Sequence, residues 1–123
     1  MSAVSFAVGL AATFNLVCTG TQYRQEKGQD ATRTPFTSII RVDLTAHRFC
    51  FDECRNSLPI TSEAADQIVF QNTEGAEGAF KVVQRVSREN GDYYFSVEIG
   101  SLFLGRSGTC KPAPFTGLPK QQF

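Results

Sequence analysis

Phe80-Lys81-Val82-Val83-Gln84-Arg85-Val86, then Glu89-Asn90-Gly91-Asp92, then Tyr93-Tyr94-Phe95-Ser96-Val97-Glu98-Ile99, is the stretch whose reading decides the fold. Both outer runs are too rich in β-branched and aromatic residues for a helix, and their apolar residues recur every second position. Asn90-Gly91 between them is the strongest short-range hairpin signal in the chain and predicts a tight turn there. Phe80, Val82 and Val86 are expected inward on one strand, opposite Lys81, Arg85 and Ser87. Tyr93, Phe95, Val97 and Ile99 are expected inward on the other.

The same period of two runs outward in both directions. Phe14, Leu16 and Cys18 alternate with Asn15, Val17 and Thr19 up to Gly20, and Ser38, Ile40, Val42 and Leu44 share a face opposite Arg41 and Asp43. Thr45-Ala46-His47 is short enough to be a turn into Arg48-Phe49-Cys50-Phe51. Leu58-Pro59-Ile60-Thr61 is restricted to an edge, because Pro59 has no ladder donor. Gln67–Gln71 and Leu102–Cys110 complete the strands. Residues 23–34 are polar, mixed in charge and without apolar rhythm, and are expected to form a long exposed loop. Glu63-Ala64-Ala65-Asp66 is long enough for one helical turn. The expected architecture is all-β: an antiparallel meander of seven or eight strands, closed into a small barrel or sandwich and stapled by disulfides.

The chain has 123 residues, one domain's length, and a compact domain of that size buries about two thirds of its unfolded surface. With 11 Phe, no Trp and one Met, the core is built from Phe, Val, Ile and Leu. Twelve basic and twelve acidic residues cancel, which argues against a nucleic-acid partner. Residues 1–13 are small, apolar and uncharged, like the apolar core of a secretory signal, with Gly9 and Ala11 or Ala11 and Thr13 at the peptidase positions. They lack a preceding Lys or Arg, and a strand or helix packed on the domain is the other reading. The segment is shorter than the ~20 residues a membrane span needs. Val17 is bulky before Cys18, which argues against lipidation. The division is therefore a leader over 1–13, a single β domain over 14–110 and a proline-rich extended tail over 111–123.

Cys18, Cys50, Cys54 and Cys110 permit three disulfide pairings. Cys50 with Cys54 and Cys18 with Cys110 is the favoured set, since the first pair is local and the second joins the first strand to the last. A four-sulfur zinc site is the rival, but it wants two short pairs and only Cys50-x-x-x-Cys54 is short. The single histidine, His47, lies close in sequence to Cys50 and Cys54, so a thiol–imidazole dyad is conceivable; exported cysteines at this spacing are more often bonded. Asp52-Glu53 and Glu63 with Asp66 show no sign of converging as a catalytic carboxylate pair. His47, Asp52 and Glu53 could surround a metal, and ordinary surface composition produces the same grouping. There is no glycine-rich phosphate loop. No catalytic residue, metal or cofactor is expected, and the candidate binding loop is His47, Arg48, Asp52, Glu53 and Arg55, presented on a strand end pinched by Cys50 and Cys54.

Phe14-Asn-Leu-Val-Cys-Thr-Gly-Thr21, Arg41-Val-Asp-Leu44, Phe49-Cys50-x-x-x-Cys54 and Gly108-Thr-Cys-Lys-Pro-Ala-Pro-Phe115 resemble a group of short exported alphaproteobacterial proteins of unknown function, over nearly the whole mature chain. Where that group often carries Trp, this chain has Phe49. The resemblance implies export and shared cysteines, and no activity. The expectation is a non-enzymatic periplasmic or secreted module that binds or inhibits an extracytoplasmic protein. The alternative is a lipocalin-like carrier of a small apolar ligand; a metal-dependent or thiol enzyme stands behind both.

Overall fold

The structure, a computed structural model, describes residues 12–119, so the leader expected over residues 1–13 lies almost wholly outside them. Nine antiparallel strands form one curled half-barrel sheet: β1 Thr13–Glu26, β2 Thr32–Asp43, β3 Arg48–Phe51, β4 Leu58–Pro59, β5 Ser62–Glu63, β6 Gln67–Glu74, β7 Phe80–Ser87, β8 Asp92–Ile99 and β9 Leu102–Ala113. The ladder order is β4-β3-β2-β1-β9-β8-β7-β6-β5, two meanders joined where β1 lies against β9. Among the described residues the only helix is a 3-10 turn at Ala76–Gly78, and Glu63-Ala64-Ala65-Asp66 is a strand end and turn, not a helical turn.

β4 and β5 are two ends of one bent segment. Leu58 and Pro59 pair with Phe49 and Arg48 of β3; Ser62 and Glu63 pair with Val69 and Ile68 of β6. Between them Ile60 N–H donates to His47 O at 2.9 Å, and Thr61 N–H donates to Phe70 O at 3.2 Å. Residues 58–63 therefore cross from one edge of the sheet to the other and form a seam. Counting them as one strand recovers the eight-stranded meander expected from the sequence.

Closure holds at one end only. There the interior is packed with Phe14, Leu16, Ile40, Val42, Phe49, Ile68, Phe70 and Val86, all buried, and the Phe49 and Phe70 rings meet across the seam at 4.9 Å. Each such side chain contributes about 2 kcal/mol by leaving water. Cys18 and Cys110, at bonding distance, are register partners on β1 and β9. One row further on, Gly20 faces Gly108, and a Cβ on Gly20 would lie 2.6 Å from the Gly108 Cα. Their bare backbones let Phe36 of β2 and Tyr93 of β8 meet above them, ring centroids 6.1 Å apart.

Several boundaries differ from expectation. Residues 23–34 are mostly strand: β1 runs to Glu26, β2 starts at Thr32, and a turn through Gly28, φ 81°, joins them. These strand ends project past the core with water on both faces, so they need no apolar rhythm. The loop at Asn90-Gly91 is a four-residue connection, not a two-residue turn: Gly91, φ 79°, donates to Ser87 O at 2.9 Å and accepts from Cys110 N–H at 2.8 Å. The tail begins later than residue 111, since β9 pairs with β1 through Ala113. Beyond Cys110 β9 has a neighbour on one side only, where a strand tolerates Pro112. Pro35 sits likewise on the part of β2 that β3 does not reach.

Candidate functional site at the open end

β3 pairs with β2 only from Ile40 to Asp43, and β5 pairs with β6 only at Ile68 and Val69. Thr32–Ser38 of β2 and Gln71–Glu74 of β6 thus have no strand partner on their outer sides among the described residues, and the far half of the barrel lacks a wall. Its inner surface stays apolar. Val97 registers with Leu104 and Val82; Ile99 registers with Leu102 and Phe80. Ile99 is 54% exposed and Phe80 37%, which corrects their expected burial: both point inward, but nothing stands opposite to cover them.

The floor of this cup is polar. Gln22, Arg106, Phe95, Gln84 and Gln71 follow one another across β1, β9, β8, β7 and β6. The Arg106 guanidinium lies 5.2 Å from the Phe36 ring centroid and 5.7 Å from that of Phe95. Its Nε donates to Gln22 Oε1 at 2.8 Å, and its Nη1 lies 3.4 Å from Asp52 Oδ2. Asp52, on positive φ just beyond β3, turns its other oxygen to Ser38, whose Oγ donates at 2.6 Å. Deeper in, Gln71 Nε2 donates to Gln84 Oε1 at 2.8 Å and Gln84 Nε2 donates to Tyr93 OH at 2.9 Å. Gln84 is wholly buried, and this chain satisfies its amide. Burial pushes the Tyr93 phenol up to about 12, against smaller lowering effects from the Gln84 hydrogen bond and the Arg106 charge. The hydroxyl therefore stays protonated at neutral pH and accepts the Gln84 hydrogen bond.

Of the loop residues singled out from the sequence, only Asp52 belongs to this floor. His47, on the exposed turn before β3, has its Nδ1 2.7 Å from Glu63 Oε2, which ties that turn to the seam. Arg48 donates to the Ser57 hydroxyl at 2.7 Å and to the Ser57 carbonyl at 2.6 Å. Glu53 and Arg55 are exposed. Cys50 and Cys54 lie at bonding distance, and Arg41 reaches both sulfurs while donating to Gly117 O at 3.0 Å. Asn15, expected on the wet face, is buried instead because the tail lies over it, its amide bonding Thr116 at 3.0 Å. The five candidates do not form one surface: Asp52 is exposed as expected, yet its two oxygens turn toward Ser38 and Arg106 of the barrel.

Sequence reasoning missed Arg106, Gln84, Gln22 and Ser38 as a set. The signal was a polar residue at an inward position: Gln84 between Val82 and Val86, Arg106 between Leu104 and Gly108. Among the described residues no three His, Cys, Asp or Glu side chains converge in a way that could hold a metal ion. Comparison with known proteins yields no match to this chain, whether by family model, curated protein or solved structure.

Proposed function

We propose that this protein is an extracytoplasmic binding module that holds a small amphiphile in the open end of its half-barrel. The observation that carries the reading is the inward-pointing apolar row of exposed Phe80 and Ile99 and half-buried Leu102, on the same inner face as a guanidinium already seated between two aromatic rings. A hydrocarbon chain would cover the apolar row, and a carboxylate would take the place Asp52 holds beside Arg106. An Asp52–Arg106 separation of 3.4 Å is long for a charge-assisted hydrogen bond, which prefers about 2.8 Å, so a better-placed ligand carboxylate gains on exchange. Two disulfides support an oxidising compartment, and no helix among the described residues is long and apolar enough to cross a membrane. With all four thiols paired and His47 engaged by Glu63, a binding role accounts for the geometry better than a thiol enzyme.

Displacement of a fluorescent anilinonaphthalene sulfonate by dodecanoate and by dodecanol tests this. Dodecanoate should displace the dye below its micelle concentration, and Arg106→Gln should weaken it at least about tenfold while sparing dodecanol. Displacement unaffected by both Arg106→Gln and Ile99→Asp would refute the site. A second reading, a protein partner seated on the stapled loop, is favoured by the exposure of Glu53 and Arg55 there. Glu53→Ala/Arg55→Ala abolishing capture of an extracytoplasmic protein, with dodecanoate inert, would install it instead.

A further inference from the structure

The outward face of the same strands carries a different surface, whose lining includes Arg106 of the cup floor together with residues that the cup does not use. Thr21 and Tyr23 of β1, Phe103 and Ser107 of β9, Tyr94 of β8 and Arg33 of β2 line an open cleft of about 420 Å³. Phe103 takes its place in this lining for a local reason. Gly105 leaves room for the Phe103 ring to lie back over the β9 backbone, close enough that a Cβ there would sit 3.0 Å from the ring. Tyr23 meets that ring edge-on at 6.0 Å. The Arg33 guanidinium stands 5.1 Å from the Tyr23 ring centroid, and Arg85 stands 4.7 Å from that of Tyr94. Neither arginine forms an ion pair among the described residues. The cleft thus combines three aromatic side chains with hydroxyls, and an arginine lies over two of the rings.

We infer that this face binds a saccharide carrying a carboxylate. A pyranose ring offers a flat face of C–H groups and a rim of hydroxyls, which needs an aromatic plate of ring size and donors and acceptors around it. Phe103 or Tyr94 supplies a ring face of that size; Thr21, Ser107 and the Tyr23 hydroxyl supply the rim. The two guanidiniums, held over their rings and lacking carboxylate partners, match an acidic sugar better than a neutral one, since Arg presents paired N–H donors to a carboxylate. Single-stranded nucleic acid also stacks on aromatic residues beside arginines, but it needs a basic track along its backbone. Here Glu98, exposed and in register with Phe103, interrupts that track, and the chain has no net positive charge.

Titration of the folded protein with trigalacturonate, maltotriose and a short oligothymidylate, followed by aromatic NMR shifts and calorimetry, decides the matter. Saturable shifts of Tyr23, Tyr94 and Phe103 with trigalacturonate are expected. Arg33→Gln and Tyr94→Ala should weaken binding at least about tenfold, whereas Ile99→Asp in the cup should leave it unchanged. Both diagnostic side chains are at the surface, and the circular dichroism spectrum of each variant confirms folding before titration. No saturable shift up to about 10 mM, equal binding of maltotriose, or tighter binding of the oligothymidylate would each overturn the proposal.

Discussion

Breaking the two disulfides separately should destabilise the domain by very different amounts. Cys18 and Cys110 lie 92 residues apart in sequence, and their bond closes the chain around nearly the whole barrel, whereas Cys50–Cys54 closes a loop spanning four. The loop-closure model gives about 4.6 kcal/mol for the first and about 1.9 kcal/mol for the second. Domains of this size hold about 5 to 15 kcal/mol in total, so Cys18→Ala/Cys110→Ala should lose a third or more of that stability while Cys50→Ala/Cys54→Ala keeps most of it. Urea denaturation followed by far-UV circular dichroism, with wild type in a non-thiol reductant as a third sample, reads the difference as a shift in midpoint. Equal shifts, or a larger shift for the short link, would refute the view that the β1–β9 junction is where the chain most needs fastening. They would mean that the hold of Arg41 on the Cys50–Cys54 sulfurs and on the tail matters more.

Gly108→Ala should cost about 3 kcal/mol, because the new methyl would strike Thr19 backbone and force β1 and β9 apart; Gly28→Ala meets no atom and should cost only about 1 kcal/mol through its positive φ, a contrast thermal melts would resolve. Tyr93 keeps its proton to higher pH in the folded protein than the ordinary value of 10, so its contribution is fully present below pH 10 and is lost as pH rises to about 12, by at most about 3 kcal/mol. Tyr93→Phe should abolish that alkaline step in denaturation curves while costing about 1 kcal/mol at neutral pH, since Gln84 loses an acceptor. Asp52→Asn keeps a residue type that accepts positive φ and removes the carboxylate beside Arg106, so dodecanoate affinity should rise several-fold in dye displacement; a fall would show that Asp52 assists the ligand rather than occupying its place.

The sequence was most legible where one face of a strand is buried and the other wet. Phe14, Leu16 and Cys18, and likewise Ser38, Ile40 and Val42, face inward as their alternation requires, and Cys18 lies opposite Cys110. Legibility failed where that asymmetry ends. Residues 23–34 have solvent on both sides, so β1 and β2 ran on unseen, and Ile99 and Phe80 keep an inward register without a facing wall to bury them. The site was less legible than the fold for a related reason. Arg106, Gln84, Ser38 and Asp52 come from different parts of the chain, and only the register around the barrel sets them on one floor; Gln84 and Arg106 each break the apolar alternation of their own strand, but nothing local links them.

The bent segment at residues 58–63 also sets an order of events. β1 makes twelve register pairs with β2 and twelve with β9, whereas the segment makes two with β3 and two with β6, one of them through a proline. Backbone amides of residues 16–20 in β1 should therefore exchange with deuterium only on global unfolding, and those of Ile60, Thr61 and Ser62 far sooner. In folding, the two meanders can each assemble from neighbouring hairpins before β1 finds β9, and the segment then draws the edges together last, like a zip closed after both halves of a garment are sewn.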